Sequence, residues 1–462
     1  MEKQRAHPYI PNSDPSIKEQ LLKAIGVSDV EELLVGIPKS LRMDRRLNLP
    51  ESYESEFELK RHVQQILNKN SSCDENLSFL GGGCYQHHVP AICDEINGRS
   101  EFLTAYAGEP YDDHGRFQTL FEYCSMMTEM LDMEVVNVPC YDGYQASATS
   151  VCMAGRYTNR SKVLVSENIN PDKFSMMQTY CRANVELIKV PMLNESGLLD
   201  QSVLKSMLSD EIAAVYFEVP SFLGQIEDGQ ILSDLAHAAG ALVVVSVNPS
   251  SLGSIAPPAK YGADIVCGDI QPLGIHMQYG GGQGGFIASH DNPDMIAQYP
   301  SRLFGIIPTI VDGEYGFGDV AYDRTSFGKR EEGNEFVGTA AALWGITAGV
   351  YMALMGPHGM QELAEGILQK TKYAMNAISK ITALSIPFSS QYHYNEFVVN
   401  FDKTGKTVKQ INEHLRSKGI FAGHDLSESF PQLGQSALYC FSEIHSQKNI
   451  DDLIAALKEM TK

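Results

Sequence analysis

LVVVSVNPSSLGSIAPPAKYGADIVCGDIQPLG, residues 242–274, carries the pattern that decides the fold. It holds two short, mostly apolar runs, Leu242–Val247 and Ile265–Cys267, each followed by a polar turn. A continuous apolar run of that length reads as a strand buried on both faces, the habit of parallel sheets covered by helices. The alternation continues outward. Residues 134–138, 163–166, 185–190, 213–219 and 285–288 read as further strands, and helices are expected over 143–157, 171–181 and 229–239. Strands alternating with helices predict an α/β fold with a large, doubly wound, mostly parallel sheet. Ligands on such sheets bind beyond the carboxyl ends of the strands, so the residues just after each strand are candidates for a site.

The flanks read differently. Residues 14–25, 27–34 and 54–68 show helical apolar spacing, with Asp29 and Ser55 as caps and GIPKS and LNLPES as breaks. So short an arm can hardly bury its own apolar faces, and it is expected to lie over another domain or another chain. After residue 330, helices are expected over 335–355, closed by Gly356-Pro357, and over 360–384. FVVNFD, a helix at 408–417, GIFAG, SALYCFSEI and a last helix at 449–460 complete an α+β pattern. The expected division is an N-terminal helical arm (1–77), a large α/β domain (78–330) and a small C-terminal α+β domain (331–462). A chain of 462 residues accommodates about two or three domains.

Composition narrows the function. Hydrophobic residues at 43% and charged residues at 20% are ordinary for a soluble globular protein. A formal net charge of −21 repels phosphate backbones, so no nucleic-acid partner is expected. No apolar run approaches the roughly 20 residues that span a bilayer, and MEKQRAHPYIPNSDPS has no targeting pattern. The expected compartment is the cytoplasm, with no membrane partner. Nine scattered cysteines, without C-x-x-C or H-E-x-x-H, read as free thiols rather than as a metal site.

Three stretches could carry chemistry. In FLGGGCYQHHVP (Phe79–Pro90), the glycines permit close backbone approach, Tyr85 can hydrogen-bond and His87 can carry a proton; a plain turn with a packed tyrosine weighs equally. Asp142-Gly143 opens a helix, where free amides attract anions; a capping aspartate is the commoner use. Val266–Ser289 joins a strand end to Gly280–Gly282 and Gly284-Gly285, but contains no dinucleotide or P-loop signature.

Taken together, these motifs resemble a family. PYIPNSDPSIKEQLLKAIGVSDVEELLVGIP, SFLGGGCYQHHVPAICDEINGRSEFLTAY, YDGYQASA, GADIVCGDIQPLG, MGPHGMQELAE and FPQLGQSALYCFSE occur here in order. In that order they are similar to the N-terminal subunit of two-subunit glycine decarboxylase, the P-protein of the glycine cleavage system. The resemblance implies a type I PLP-transferase (aspartate aminotransferase-like) fold. It also implies glycine decarboxylation with pyridoxal phosphate (PLP) and transfer of the aminomethyl group to a lipoyl H-protein. A homologous second subunit carries the cofactor lysine.

In that second subunit the strand-end loop reads like H-L-N-L-H-K-T-F. The resemblance sets Gln271 at its histidine and Pro272 at its lysine, and no lysine lies between Lys260 and Lys329. Asn248 stands where type I enzymes place the aspartate that holds the pyridine nitrogen. Both PLP determinants are thus lost, and no catalytic residue is expected in this chain. Gly81, Gly83, Tyr85, His87, Tyr106 and Gln271 are the residues expected near the cofactor and the amino-acid substrate. The family's T-P-Y-Q-P-E-x-S-Q-G is here AGEPYDDHG (107–115), and its Thr-Ser-Asn is Asn334-Glu335-Phe336. An enzyme for another amino acid and a non-catalytic scaffold are the alternatives.

Overall fold

The computed structural model describes residues 7, 9–45, 47–103, 114–280, 283–333, 335–338 and 340–461. Tyr106, most of the 107–115 loop and Asn334 lie outside the described residues. The chain forms two compact units, Met1–Asn70 and Ser71–Lys462.

The first unit holds helices α1 (Pro15–Ile25), α2 (Val30–Leu33) and α3 (Glu56–Leu67). The expected caps are present. Asp29 accepts from the Glu31 amide and Ser55 from the Glu58 amide, satisfying donors that have no partner within the helix. None of these helices has a buried residue. Leu41 is 75% and Phe57 68% exposed, so hydrophobic burial does not hold this unit together.

The second unit begins with β1 (Leu77–Ser78), α4 (Ala91–Asn97), α5 (Ser100–Leu103) and α6 (His114–Leu131). The large sheet is then built from β2 (Val135–Val136), β3 (Lys162–Ser166), β4 (Glu186–Val190), β5 (Ile212–Val219), β6 (Leu242–Val247), β7 (Ile265–Asp269) and β8 (Gly285–Ser289). Its order is β2-β8-β7-β6-β5-β3-β4. The ladders among β3 to β7 are parallel; β8 runs antiparallel to both β7 and β2. Interleaved helices are α7 (Gly143–Thr158), α8 (Pro171–Cys181), α9 (Gln201–Met207) and α10 (Gly229–Ala238). The period of two explains the apolar runs. On β5, Val215 and Phe217 join one core, while Ala214 and Tyr216 join the core on the opposite face.

Beyond this sheet come α11 (Pro293–Ile296), a hairpin of β9 (Phe304–Pro308) and β10 (Tyr315–Asp319), and α12 (Ala342–Ile378). The helix expected over 335–355 begins seven residues late, at Ala342. The Val337 amide bonds Pro300 O and the Ala341 amide bonds Pro139 O, so these amides are fixed by other segments. Gly356 breaks α12 at φ 60 and ψ 178, as Gly356-Pro357 suggested, and the second half stops at Ile378 rather than 384. β11 (Glu396–Asn400), α13 (Val408–Ser417), β12 (Ile420–Phe421), β13 (His424–Asp425), β14 (Ser436–Cys440) and α14 (Gln447–Met460) close the chain. β11, β14 and β13 form a separate antiparallel sheet, whereas β12 pairs in parallel with β1. All nine cysteines are unpaired thiols.

Candidate functional site

A cavity of about 260 Å³ opens beyond the carboxyl ends of the central parallel strands, where the strand order led us to expect one. Strand ends supply Glu218, Val247 and Asp269; the turns after them supply Ser221, Asn248 and Pro272. Gly82 to Tyr85 approach from the glycine segment, Gly143 and Tyr144 from the start of α7, and Glu396 from β11.

Of the residues expected from sequence, Gly83, Tyr85, Asn248 and Pro272 line this cavity. Tyr85 is buried and sits at the centre of a small network. The Asn248 amide donates to Tyr85 Oη at 3.0 Å, and Ser250 Oγ lies 3.1 Å from the same oxygen. Gln271 clamps the Tyr85 backbone from both sides, accepting from its N–H at 3.4 Å and donating to its carbonyl at 3.1 Å. Burial holds the Tyr85 phenol far above its ordinary range, so it stays protonated and acts as a hydrogen-bonding hub. His87 is turned aside, its Nε2 lying 2.8 Å from Ile275 O. Gly81 lies behind the cavity wall. A Cβ there would meet Glu396 Oε1 at 2.0 Å and Cys440 Cβ at 2.6 Å, so only glycine lets the carboxylate approach.

Apart from Asp142, the charged residues were not foreseen. Lys173 Nζ and Glu218 Oε1 pair at 2.5 Å with both side chains largely buried, and Tyr216 Oη also donates to Glu218. At the start of α7, Asp142 accepts from the Gln145 amide at 2.7 Å, the capping role. Asp269 accepts from the Gly143 amide at 2.8 Å and from the Gln271 amide at 2.8 Å. Burial pushes Asp269 up to about 7 against the pull of those two amides. It does the same to Glu396, up to about 7, although the Gly82 amide donates to it.

PLP is the cofactor that the resemblance implies, and this lining does not fit it. The phosphate of such a cofactor needs free amides at a helix N-terminus, but here Asp142 and Asp269 already take the Gly143 and Gln145 amides. Pro272 has no amine, and the one lysine of the lining, Lys173, is committed to Glu218. Asn248 is neutral and spends its amide on Tyr85. Asp142, Glu218, Asp269 and Glu396 face a single cation in the lining, and above about pH 7, where Asp269 and Glu396 ionise, that field repels a phosphate. Among the described residues, no group of three or more His, Cys, Asp or Glu is placed to hold a metal ion. No helix among them is long and apolar enough to cross a membrane.

Comparison with known proteins supplies the family. The sequence profile of the glycine cleavage system P-protein matches residues 7–457. A Staphylothermus marinus protein named probable glycine dehydrogenase (decarboxylating) subunit 1 is 35% identical over 464 residues, covering 98% of both chains. A Pyrococcus furiosus protein of the same name is 36% identical over 459 residues, covering 98% of this chain and 99% of its own. The crystal structure of an inhibitor-bound glycine decarboxylase (P-protein) superposes with a TM-score of 0.83 at 29% identity, over 98% of this chain and 100% of that one. A Burkholderia pseudomallei sphingosine-1-phosphate lyase, at 13% identity, 92% and 94% coverage and a TM-score of 0.65, shares the fold alone. The fold is that of the type I PLP-transferases. With its profile matched nearly end to end and relatives aligned over their whole length, the chain belongs to the glycine cleavage system P-protein family.

Proposed function

We propose that this chain is one half of a two-subunit glycine dehydrogenase (decarboxylating), the half that shapes the shared site without holding its cofactor. The observation that carries the reading is Pro272. It is buried in the cavity wall, the resemblance sets it at the other subunit's lysine, and the chain follows a relative named subunit 1 over 98% of its length. A homologous second subunit supplies PLP and the lysine. The assembled pair decarboxylates glycine and hands the aminomethyl group to lipoyl H-protein.

This chain's own contribution is positional. Gly81 lets the segment before Tyr85 pass close to Glu396, Gly83 takes a φ of 112° that favours glycine, and Gln271 holds Tyr85 by its backbone. That fixes the path on which His87 follows. Tyr106, outside the described residues, belongs to the same proposal as a substrate-side contact. We read residues 1–77 as the arm that covers another chain, supported by exposed Leu41 and Phe57. The division at 330/331 is supported by the separate sheet of β11, β13 and β14 with its own apolar core. Nine unpaired thiols support the cytoplasm as the compartment.

One departure favours a second reading, a related pair acting on another amino acid. Glu335, where the family has serine, is bound to Arg156 at 2.6 Å and accepts from Thr149 at 3.1 Å, while Phe336 is 72% exposed. The test is release of labelled CO₂ from a panel of amino acids by the chain mixed with its partner subunit and H-protein. Glycine-only turnover that needs both subunits supports the first reading, and turnover of another amino acid supports the second. A borohydride-reducible PLP adduct on this chain alone would overturn both.

A further inference from the structure

Two thiols outside the cavity already described meet between α7 and α8. Cys152 on α7 lies 3.6 Å, sulfur to sulfur, from Cys181 at the end of α8. Cys181 is fully buried, and its sulfur also lies 3.7 Å from Ala148 O. Cys152 is 3% exposed but lines a separate cavity of about 530 Å³, which Arg160, Asn184 and Glu211 also line. A small neutral oxidant in that cavity therefore meets Cys152 first. A disulfide places its sulfurs at about 2.05 Å, so the pair must close by roughly 1.5 Å. Because the two helices pack against one another, side-chain rotation with a slight helix shift supplies that distance.

The pair sits under a clamp. Thr149 lies three residues before Cys152 and Arg156 four after it, which puts all three on one face of α7. Arg156 binds Glu335 Oε2 at 2.6 Å, and Thr149 donates to Glu335 Oε1 at 3.1 Å. Tyr180, the residue before Cys181, hydrogen-bonds the same carboxylate from α8. Glu335 is thus held by both of the helices on which the thiols sit.

We infer that Cys152 and Cys181 are a dithiol oxidised by hydroperoxides, and that their disulfide locks the grip of α7 and α8 on Glu335. The inference goes beyond the proposed function and stands or falls independently of it. With hydrogen peroxide, the Cys152 sulfur attacks one peroxide oxygen and the O–O bond breaks. Cys152 becomes a sulfenic acid and one water leaves. The Cys181 sulfur then attacks the Cys152 sulfur, the S–OH bond breaks, and the thiol proton leaves with the hydroxyl as a second water. Two thiols lose two electrons, and one peroxide gains them. The bond from Cys152 and burial hold the Cys181 thiol protonated far above neutral pH, which suits it to react second.

The test treats the purified full-length chain with hydrogen peroxide, blocks remaining thiols with N-ethylmaleimide and digests it without reduction. Mass spectrometry then shows the Cys152 peptide joined to the Cys181 peptide as the main linkage, and dithiothreitol separates them. In Cys181→Ser the linkage is lost and dimedone traps a sulfenic acid on Cys152; in Cys152→Ser neither product forms at Cys181. In the linked chain, amide exchange over residues 335–338 slows several-fold relative to the reduced chain. Absence of the linkage, preferential pairing of other cysteines, dimedone capture at Cys181 in Cys152→Ser, or unchanged exchange over 335–338 overturns the inference. If a serine variant fails to fold, linkage and exchange in the unaltered chain still decide.

Discussion

Glu396 Oε1 accepts a hydrogen bond from the Gly82 amide at 2.6 Å, across 314 residues of sequence. The bond joins the first strand of the C-terminal sheet to the segment that leads into Tyr85. Its geometry depends on Gly81, whose missing side chain is what admits the carboxylate. Gly81→Ala should therefore lower stability by about 1–3 kcal/mol, the usual cost of forcing a methyl group into a packed site. Urea unfolding of the full chain measures it; an unchanged midpoint would mean that Glu396 moves freely.

The carboxyls themselves set a pH dependence whose sign is unusual. In the unfolded chain they ionise near 4, whereas folding holds Glu396 and Asp269 protonated up to about 7. Between about pH 4 and 7 the folded state binds more protons, so their contribution to stability is full below that window. It is lost as pH rises through 7. Glu396→Gln should flatten this decline and be the more stable form at pH 8, by on the order of 2–3 kcal/mol. Denaturation midpoints at several pH values check it, and a steeper decline in the variant would contradict the assignment.

Lys173 and Glu218 form a pair with side chains 12% and 7% exposed. Removing one partner strands a buried charge. Lys173→Met should cost about 3–5 kcal/mol, while Lys173→Met combined with Glu218→Gln should recover most of that loss. A double-mutant cycle gives the coupling energy. If the single and double variants are equally destabilised, the pair is not what holds these side chains.

This pair also shows where the sequence stopped being readable. The sheet was legible because burial on both faces writes itself as local apolar runs, and the caps at Asp29, Ser55 and Asp142 were legible because capping is local. Lys173 and Glu218 lie 45 residues apart on different elements, and Glu396 meets Gly82 from the far end of the chain. No short pattern announces such contacts. Asp269 was within reach. The strand was expected to end at Cys267; Gly268 and Asp269 are poor strand formers, yet the ladder runs on to pair Asp269 with Gly285. One residue further, the rule about strand ends would have found it.

Pro272→Lys supplies the sharpest test of why the lining of this cavity does not fit PLP. If the missing amine were the whole difference, the substitution alone would restore a borohydride-reducible adduct with PLP. The Gly143 and Gln145 amides are held by Asp269 and Asp142, however, and those carboxylates occupy the place a phosphate would need. The expected outcome is no adduct with Pro272→Lys alone. Adding Asp142→Ser and Asp269→Ser removes the internal anions and frees the amide of Gly143, and measurable PLP retention should then appear. Mass spectrometry after borohydride reduction distinguishes the cases. An adduct in the single variant would show that the two aspartates give way to phosphate, and that the proline alone keeps the cofactor out.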